Sequence, residues 1–223
     1  MKEIIKKHKI YWKQKGFSYS VLTGIIFIAV SLIINHLASN YADRMASAYV
    51  KDIVLDNFPV VNVNFIVNDG LLIYIIFTFL YIIRDPKKIP FAAKSFALFV
   101  LIRSVFIMLT HLGPMPLHSF LEQDGYLIRL NAGSDYFFSG HTGAPFLMAL
   151  IFWNNKFMRN VSLTASLIFG VAVLLGHLHY SIDVLAAFFI TYSIFSLAKK
   201  FFASDWKLFH KKNILENKEV MAG

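Results

Sequence analysis

Two short stretches set reactive side chains at spacings that chemistry can use. In GHLHYSIDV, His179 and Asp183 stand four residues apart, which on a helix puts them on one face a turn apart. There the carboxylate accepts from one imidazole nitrogen and leaves the other as a lone pair for attack or base work. In SDYFFSGHTG, Gly140 and Gly143 flank His141 and Thr142 where a helix is expected to begin. The free N–H groups and positive dipole end of a helix start suit an anion such as phosphate. Ser139 and Thr142 add hydroxyls, and His141 stands beside the anion as a proton carrier. Each stretch also has a plainer explanation: a helix-end hydrogen bond for the first, a Ser139 cap for the second. The third feature is Arg103, inside the apolar run FALFVLIRSVFIMLTHL. A guanidinium at that depth needs a partner, either a lipid phosphate or Asp69 or Asp183.

Taken together, these residues suffice for phosphoryl transfer without a metal or other cofactor. His179 attacks phosphorus while Asp183 steadies it. Arg103 and the amides behind Ser139, Gly140 and Thr142 neutralise the equatorial oxygens. His141 protonates the departing alkoxide and later takes the proton of an acceptor hydroxyl. Asp69, in FIVNDGLLIY, is either a contact for a cationic head group or an interface residue. Asp135 and Tyr136, with Phe137 and Phe138, could face a choline-type group or anchor the chain at the membrane surface.

Such side chains must be carried by membrane helices. Of the 223 residues, 57% are hydrophobic and 16% charged, too apolar for an ordinary soluble domain. The absence of cysteine removes disulfides, thiolate metal sites and cysteine nucleophiles. The net charge of +9 matters through its distribution among loops and gives no reason to expect nucleic acid. Stretches of about 20 apolar residues suit a bilayer, and six come close: 18–37, 65–83, 91–112, 142–158, 161–178 and 180–198. The fourth is the weakest, because Asn154 and Asn155 interrupt it early. Lys and Arg gather in the N-terminal tail, in RDPKK, in NNKFMRN and after Lys199. The intervening loops offer only Arg44, Lys51 and Arg129. The positive-inside rule then predicts cytoplasmic termini and an outward-facing site. The alternative for the first run is a cleaved signal peptide. The expected fold is all-α: one membrane domain over 1–223, a six-helix bundle with basic tails at 1–17 and 199–223.

The motifs DYFFSGHT and HYSIDVLAAFFITYSIF resemble the two catalytic motifs of the sphingomyelin synthases and their relatives in the type 2 phosphatidic acid phosphatase superfamily. LIRSVFIMLTHLGP is similar to the motif that precedes them, with Arg103, Thr110 and Pro114 in matching places, and DNFPVVNVNF is faintly similar to a proline-containing segment. The likeness spans about residues 55–198. It implies a six-helix enzyme moving a phospho-head group from a phospholipid to a lipid alcohol, with His179 as nucleophile, Asp183 as its partner and His141 as acid and base. The chain departs from the animal synthases at Gly133, Ser134 and Leu178. It also has Val173 where the soluble phosphatases carry an arginine, and no Lys-x6-Arg-Pro run, which implies the synthase-like branch.

Two other outcomes for the same site are a phosphatase or phospholipase C-type hydrolase, with water as acceptor, and a small ion or proton transporter. The transporter predicts polar residues through the membrane depth, yet the fifth and sixth runs below Asp183 are read as almost wholly apolar. A metal site built from His141, His177, His179 and Asp183 would need His177 and His179, two residues apart, on one helical face, which the spacing disfavours. The expected partners are lipid substrates and the bilayer, with a second copy of the chain left open; His111, His118 and His177 receive no role.

Overall fold

The computed structural model describes residues 2–113, 115 and 137–211. Over these it is helical and contains no strand. An amphipathic α1 (Lys2–Trp12) leads into the 31-residue α2 (Lys15–Met45). After a loop, a π-helical turn (Phe65–Gly70) runs into α3 (Leu71–Ile83), and the RDPKK turn leads into α4 (Ile89–Leu109). Then follow α5 (Gly140–Ile151), α6 (Lys156–Leu175), α7 (Ser181–Phe201) and the short α8 (Ala203–His210).

Five segments, Lys15–Met45, Phe65–Ile83, Pro86–Leu109, Lys156–Leu175 and Ser181–Phe201, are long and apolar enough to cross a membrane. The chain is an integral membrane protein. Large apolar side chains such as Leu22, Ile33, Phe79 and Phe189 point outward, as expected where lipid replaces water. The fourth expected span, 142–158, is instead a 12-residue helix, about 18 Å long at 1.5 Å per residue. It ends because Asn155 begins a new helix, accepting from Met158 N at 2.9 Å.

Small residues bring the helices together, as is usual when the hydrophobic effect does not act between them. A Cβ on Gly24 would stand 3.2 Å from Ala93 Cβ, and Ala38 and Ala42 pack with Ile107, which closes α2 onto α4. The core lies around α5, where Leu147 and Ala149 are fully buried.

Contacts sort the helix ends into two groups. At one end, His8 Nε2 meets the Ile83 carbonyl at 2.7 Å, and Lys94 and Ser20 meet Asp205. Near them, Lys88 Nζ lies 5.5 Å from the Phe152 ring centre. This end carries the N-terminal lysines, Arg84, Lys87, Lys156 and Lys200. At the other end, Ser47 N donates to the His111 carbonyl, Val61 N to the Leu175 carbonyl and Ser139 N to the Asp183 carbonyl. Both described chain ends, α1 and α8, lie at the basic end.

Candidate active site

Four segments converge at the poorly basic end. Arg103, on α4 and buried, donates from Nε to the Phe138 carbonyl at 2.9 Å. Its side chain lies against the first residue of α5: a Cβ on Gly140 would stand 3.3 Å from Arg103 Nε and 3.5 Å from Cζ. Glycine here lets the guanidinium lie close against the start of the helix. Helix α5 begins as the sequence predicts. Ser139 is its N-cap, and Ser139 Oγ accepts from Thr142 N at 3.4 Å and from Thr142 Oγ1 at 3.3 Å. Both hydroxyls therefore serve the cap, while the Ser139 hydroxyl, an acceptor in both bonds, keeps its own hydrogen to donate. Downstream, Ser166 Oγ donates to the Thr142 carbonyl at 2.8 Å. Gly143 lets α5 close onto its neighbours, since a Cβ there would meet Phe99 at 2.8 Å and Thr191 Oγ1 at 2.9 Å. Pro145 cannot donate to the His141 carbonyl four residues earlier, so the first turn of α5 is polar on both sides.

The imidazoles come from different helices. His141, half-buried in the first turn of α5, has its ring centre 6.1 Å from that of His179, with the planes 64° apart. His179, in the α6–α7 turn, is 4% exposed, and Asp183 is fully buried. His179 Nδ1 lies 3.4 Å from Asp183 Oδ2, which also accepts from Tyr180 N at 3.0 Å. A proton on Nδ1 satisfies this geometry and leaves Nε2 as the lone pair. Asp183 Oδ1 is buried without a hydrogen-bond partner among the described residues.

Of the residues expected from sequence, the structure thus brings Arg103, Ser139, Gly140, His141, Thr142, His179 and Asp183 to one end of the bundle. Asp69 is exposed on the π-helical turn before α3, on a different segment. Asp135, Tyr136, Pro114 and His118 lie outside the described residues. His177 turns away, its Nε2 3.1 Å from the Phe58 carbonyl. Among the described residues, no three His, Asp or Glu side chains are grouped as a metal would require. Sequence reasoning missed the Phe138 carbonyl as the Arg103 acceptor, Ser166 under the α5 turn, and Asp52. A backbone acceptor carries no sequence signal, and Asp52 lies 129 residues from its partner Ser181.

A helix start, a buried arginine and two imidazoles thus meet at one end of a bundle whose helices are long and apolar enough to cross a membrane. Residues 133–200 match the family model PAP2 superfamily C-terminal, so this part of the chain is similar to the type 2 phosphatidic acid phosphatase superfamily. Members of that superfamily are phosphatases and phosphotransferases, and the match supports an enzyme of that class. The match takes in both histidine stretches, whereas Arg103 lies outside it. No curated protein sequence matches the chain.

Proposed function

We propose that the enzyme moves a phospho-head group from a phospholipid to a lipid alcohol through a phosphohistidine, in the manner of the sphingomyelin synthases it resembles. The observation that carries this reading is the facing pair His141 and His179, 6.1 Å apart between ring centres. They flank a helix start against which Arg103 is laid. His179 Nε2 attacks phosphorus and the P–O bond to the glycerol oxygen breaks, while protonated His141 delivers its proton to that oxygen. Asp183 accepts from His179 Nδ1 and stabilises the ring as it gains charge. Arg103 and the first α5 amides hold the equatorial oxygens. In the second half, the acceptor hydroxyl gives its proton to His141, its oxygen attacks phosphorus, and the P–N bond breaks. The near-complete burial of His179 and Asp183 supports a lipid alcohol over water as acceptor.

The same reading treats α5 as a sixth crossing. It runs from Arg103 to Phe152 beside Lys88, and those two α4-side residues are 15 apart, about 22 Å along a helix. The site is therefore recessed below the outer rim of α4, and a short helix suffices to reach the other face. The charge asymmetry of the two ends supports a cytoplasmic basic end and an outward-facing site. The same reading takes 1–223 as one membrane domain with basic cytoplasmic tails at 1–17 and 199–223.

The test is incubation of purified enzyme with head-group-labelled phospholipid, with and without ceramide or diacylglycerol, beside His179→Ala. Label is expected to move to the lipid alcohol in the wild type, and His179→Ala should lose turnover while remaining folded in detergent. Wild-type turnover by the variant would remove the nucleophile. Label released only as a water-soluble product would leave the hydrolase.

A further inference from the structure

The loop between α2 and the π-helical turn is tied to the start of α7 more closely than a connection requires. Asp52, 7% exposed, is the knot. Its Oδ2 accepts from Ser181 N and Ser181 Oγ, both at 2.8 Å, and its Oδ1 accepts from Val54 N at 2.8 Å and Leu55 N at 3.2 Å. Four donors thus converge on one carboxylate, two from its own turn and two from the first residue of α7.

A helix start ordinarily draws its capping oxygen from the residue just before it, a Ser, Thr, Asp or Asn. In α7 that residue is Tyr180, whose phenol is engaged elsewhere. Tyr180 Oη donates to the Gly113 carbonyl at 2.9 Å and accepts from Val50 N at 3.2 Å, and its ring stacks on Tyr49 with centres 6.0 Å apart. Tyr49 in turn donates to Asp56. The cap for Ser181 therefore comes from across the chain, and its negative charge also suits the positive end of the helix dipole.

We propose that Asp52 is a positioning residue for His179: by capping α7 at Ser181 it fixes the turn that carries the His179–Asp183 pair. The inference rests on the phosphohistidine reading above. His179 precedes the capped residue by two positions and Asp183 follows it by two. One helical turn thus joins the Asp52 carboxylate to the histidine, and it frays when its first amides lose their acceptor. The His179–Asp183 contact, at 3.4 Å, has no slack to absorb such fraying. Displacing a reacting group by about 1 Å can cost on the order of 100-fold in rate.

Asp52→Asn keeps size and shape but cannot keep the bonds. Every group facing the carboxylate can donate, and three of the four are backbone amides, so an amide nitrogen on either side confronts at least one N–H. With the labelled-phospholipid assay, the variant is expected to lose roughly tenfold or more in kcat with KM within about twofold. The constant for inhibition by orthovanadate, which mimics pentacoordinate phosphorus at His179, is expected to rise by a comparable factor. A variant that is merely less folded would lower the apparent kcat and leave the vanadate constant unchanged, and that result, like wild-type values for both, overturns the proposal. If Asp52→Asn does not elute as a single species in detergent, Ser181→Ala removes only the hydroxyl bond. It should lower kcat by about threefold to tenfold with a matching rise in the vanadate constant, and an unchanged vanadate constant refutes the role. Failure of the underlying reading shows separately, in the wild type: turnover untouched by vanadate, or retained by His179→Ala.

Discussion

Asp183 and Asp205 are both buried carboxylates, 0% and 5% exposed, at opposite ends of the same bundle. At the basic end, Asp205 Oδ1 accepts from Ser20 Oγ at 2.6 Å and Oδ2 from Lys94 Nζ at 2.7 Å; Lys94 donates as well to Ser20 at 2.7 Å. Both oxygens are satisfied by residues of α2 and α4, and the trio ties α8 beneath them. Asp183 accepts from Tyr180 N and faces His179 on one oxygen, while the other is buried with no partner among the described residues. An unsatisfied buried acceptor costs about 1–3 kcal/mol. Such a cost persists where the surroundings hold the group for another purpose, here the ring of His179. One carboxylate closes a structure, and the other is held ready for chemistry.

Asparagine separates the two most sharply. In Asp183→Asn, the amide oxygen can keep its place against Tyr180 N–H, but it is a neutral acceptor and no longer stabilises the His179 ring as that ring gains charge. Turnover should fall by about 10³–10⁴-fold, the scale lost when an orienting carboxylate becomes an amide, with the thermal midpoint in detergent unchanged or raised because a buried charge is gone. A large loss of stability with turnover per folded molecule intact would place Asp183 with Asp205 and erase the contrast.

Arg103→Lys comes next. The planar fork of arginine spans two phosphate oxygens, whereas an ammonium offers a point charge on a shorter reach. A fall of about 10²-fold in kcat/KM is expected, and vanadate should bind more weakly in proportion. Near-wild-type turnover would mean that Arg103 serves the structure rather than the phosphate.

Asp205→Asn should show the reverse pattern. It leaves Lys94 without its carboxylate, and breaking a buried pair costs roughly 3–5 kcal/mol at most, less here because Lys94 is partly exposed. The thermal midpoint should drop while kcat per folded molecule and the vanadate constant stay put. A shifted vanadate constant would show that the two ends are coupled.

The contrast between the two carboxylates was only half legible in the sequence. Spacing four apart exposes His179 and Asp183 because a helical turn is a local rule, and SGHTG announces its cap for the same reason. Span positions follow from apolar run length, and the structure keeps the second at 65–83 while extending the first to Met45. The fourth shortens because burial within protein, unlike burial in lipid, sets no minimum length, so α5 can start at a recessed site. Pairings such as Asp205 with Lys94 and Asp52 with Ser181 join residues more than 100 positions apart. No periodicity encodes them, and only packing of α8 and of the outer loop reveals them.

A third carboxylate, Asp52, tests whether full satisfaction or function governs its titration. Burial raises its pKa, but the bonds from Ser181, Leu55 and Val54 outweigh burial and hold the carboxyl below its ordinary 3.8. A carboxyl depressed on folding contributes stability above its unfolded pKa and loses that contribution as pH falls through the depressed value. The difference in thermal midpoint between wild type and Asp52→Asn cancels the titration of every other acid to first order. That gap, corresponding to about 1 kcal/mol at neutral pH, should be constant from pH 7 to about pH 5 and shrink below about pH 4, where the carboxyl of the unfolded chain begins to take up a proton ahead of the folded one. Were the gap to widen toward acid, Asp52 would be held neutral rather than charged, and its capping of α7 would have to come from the carbonyl oxygen of a neutral carboxyl instead of an anion.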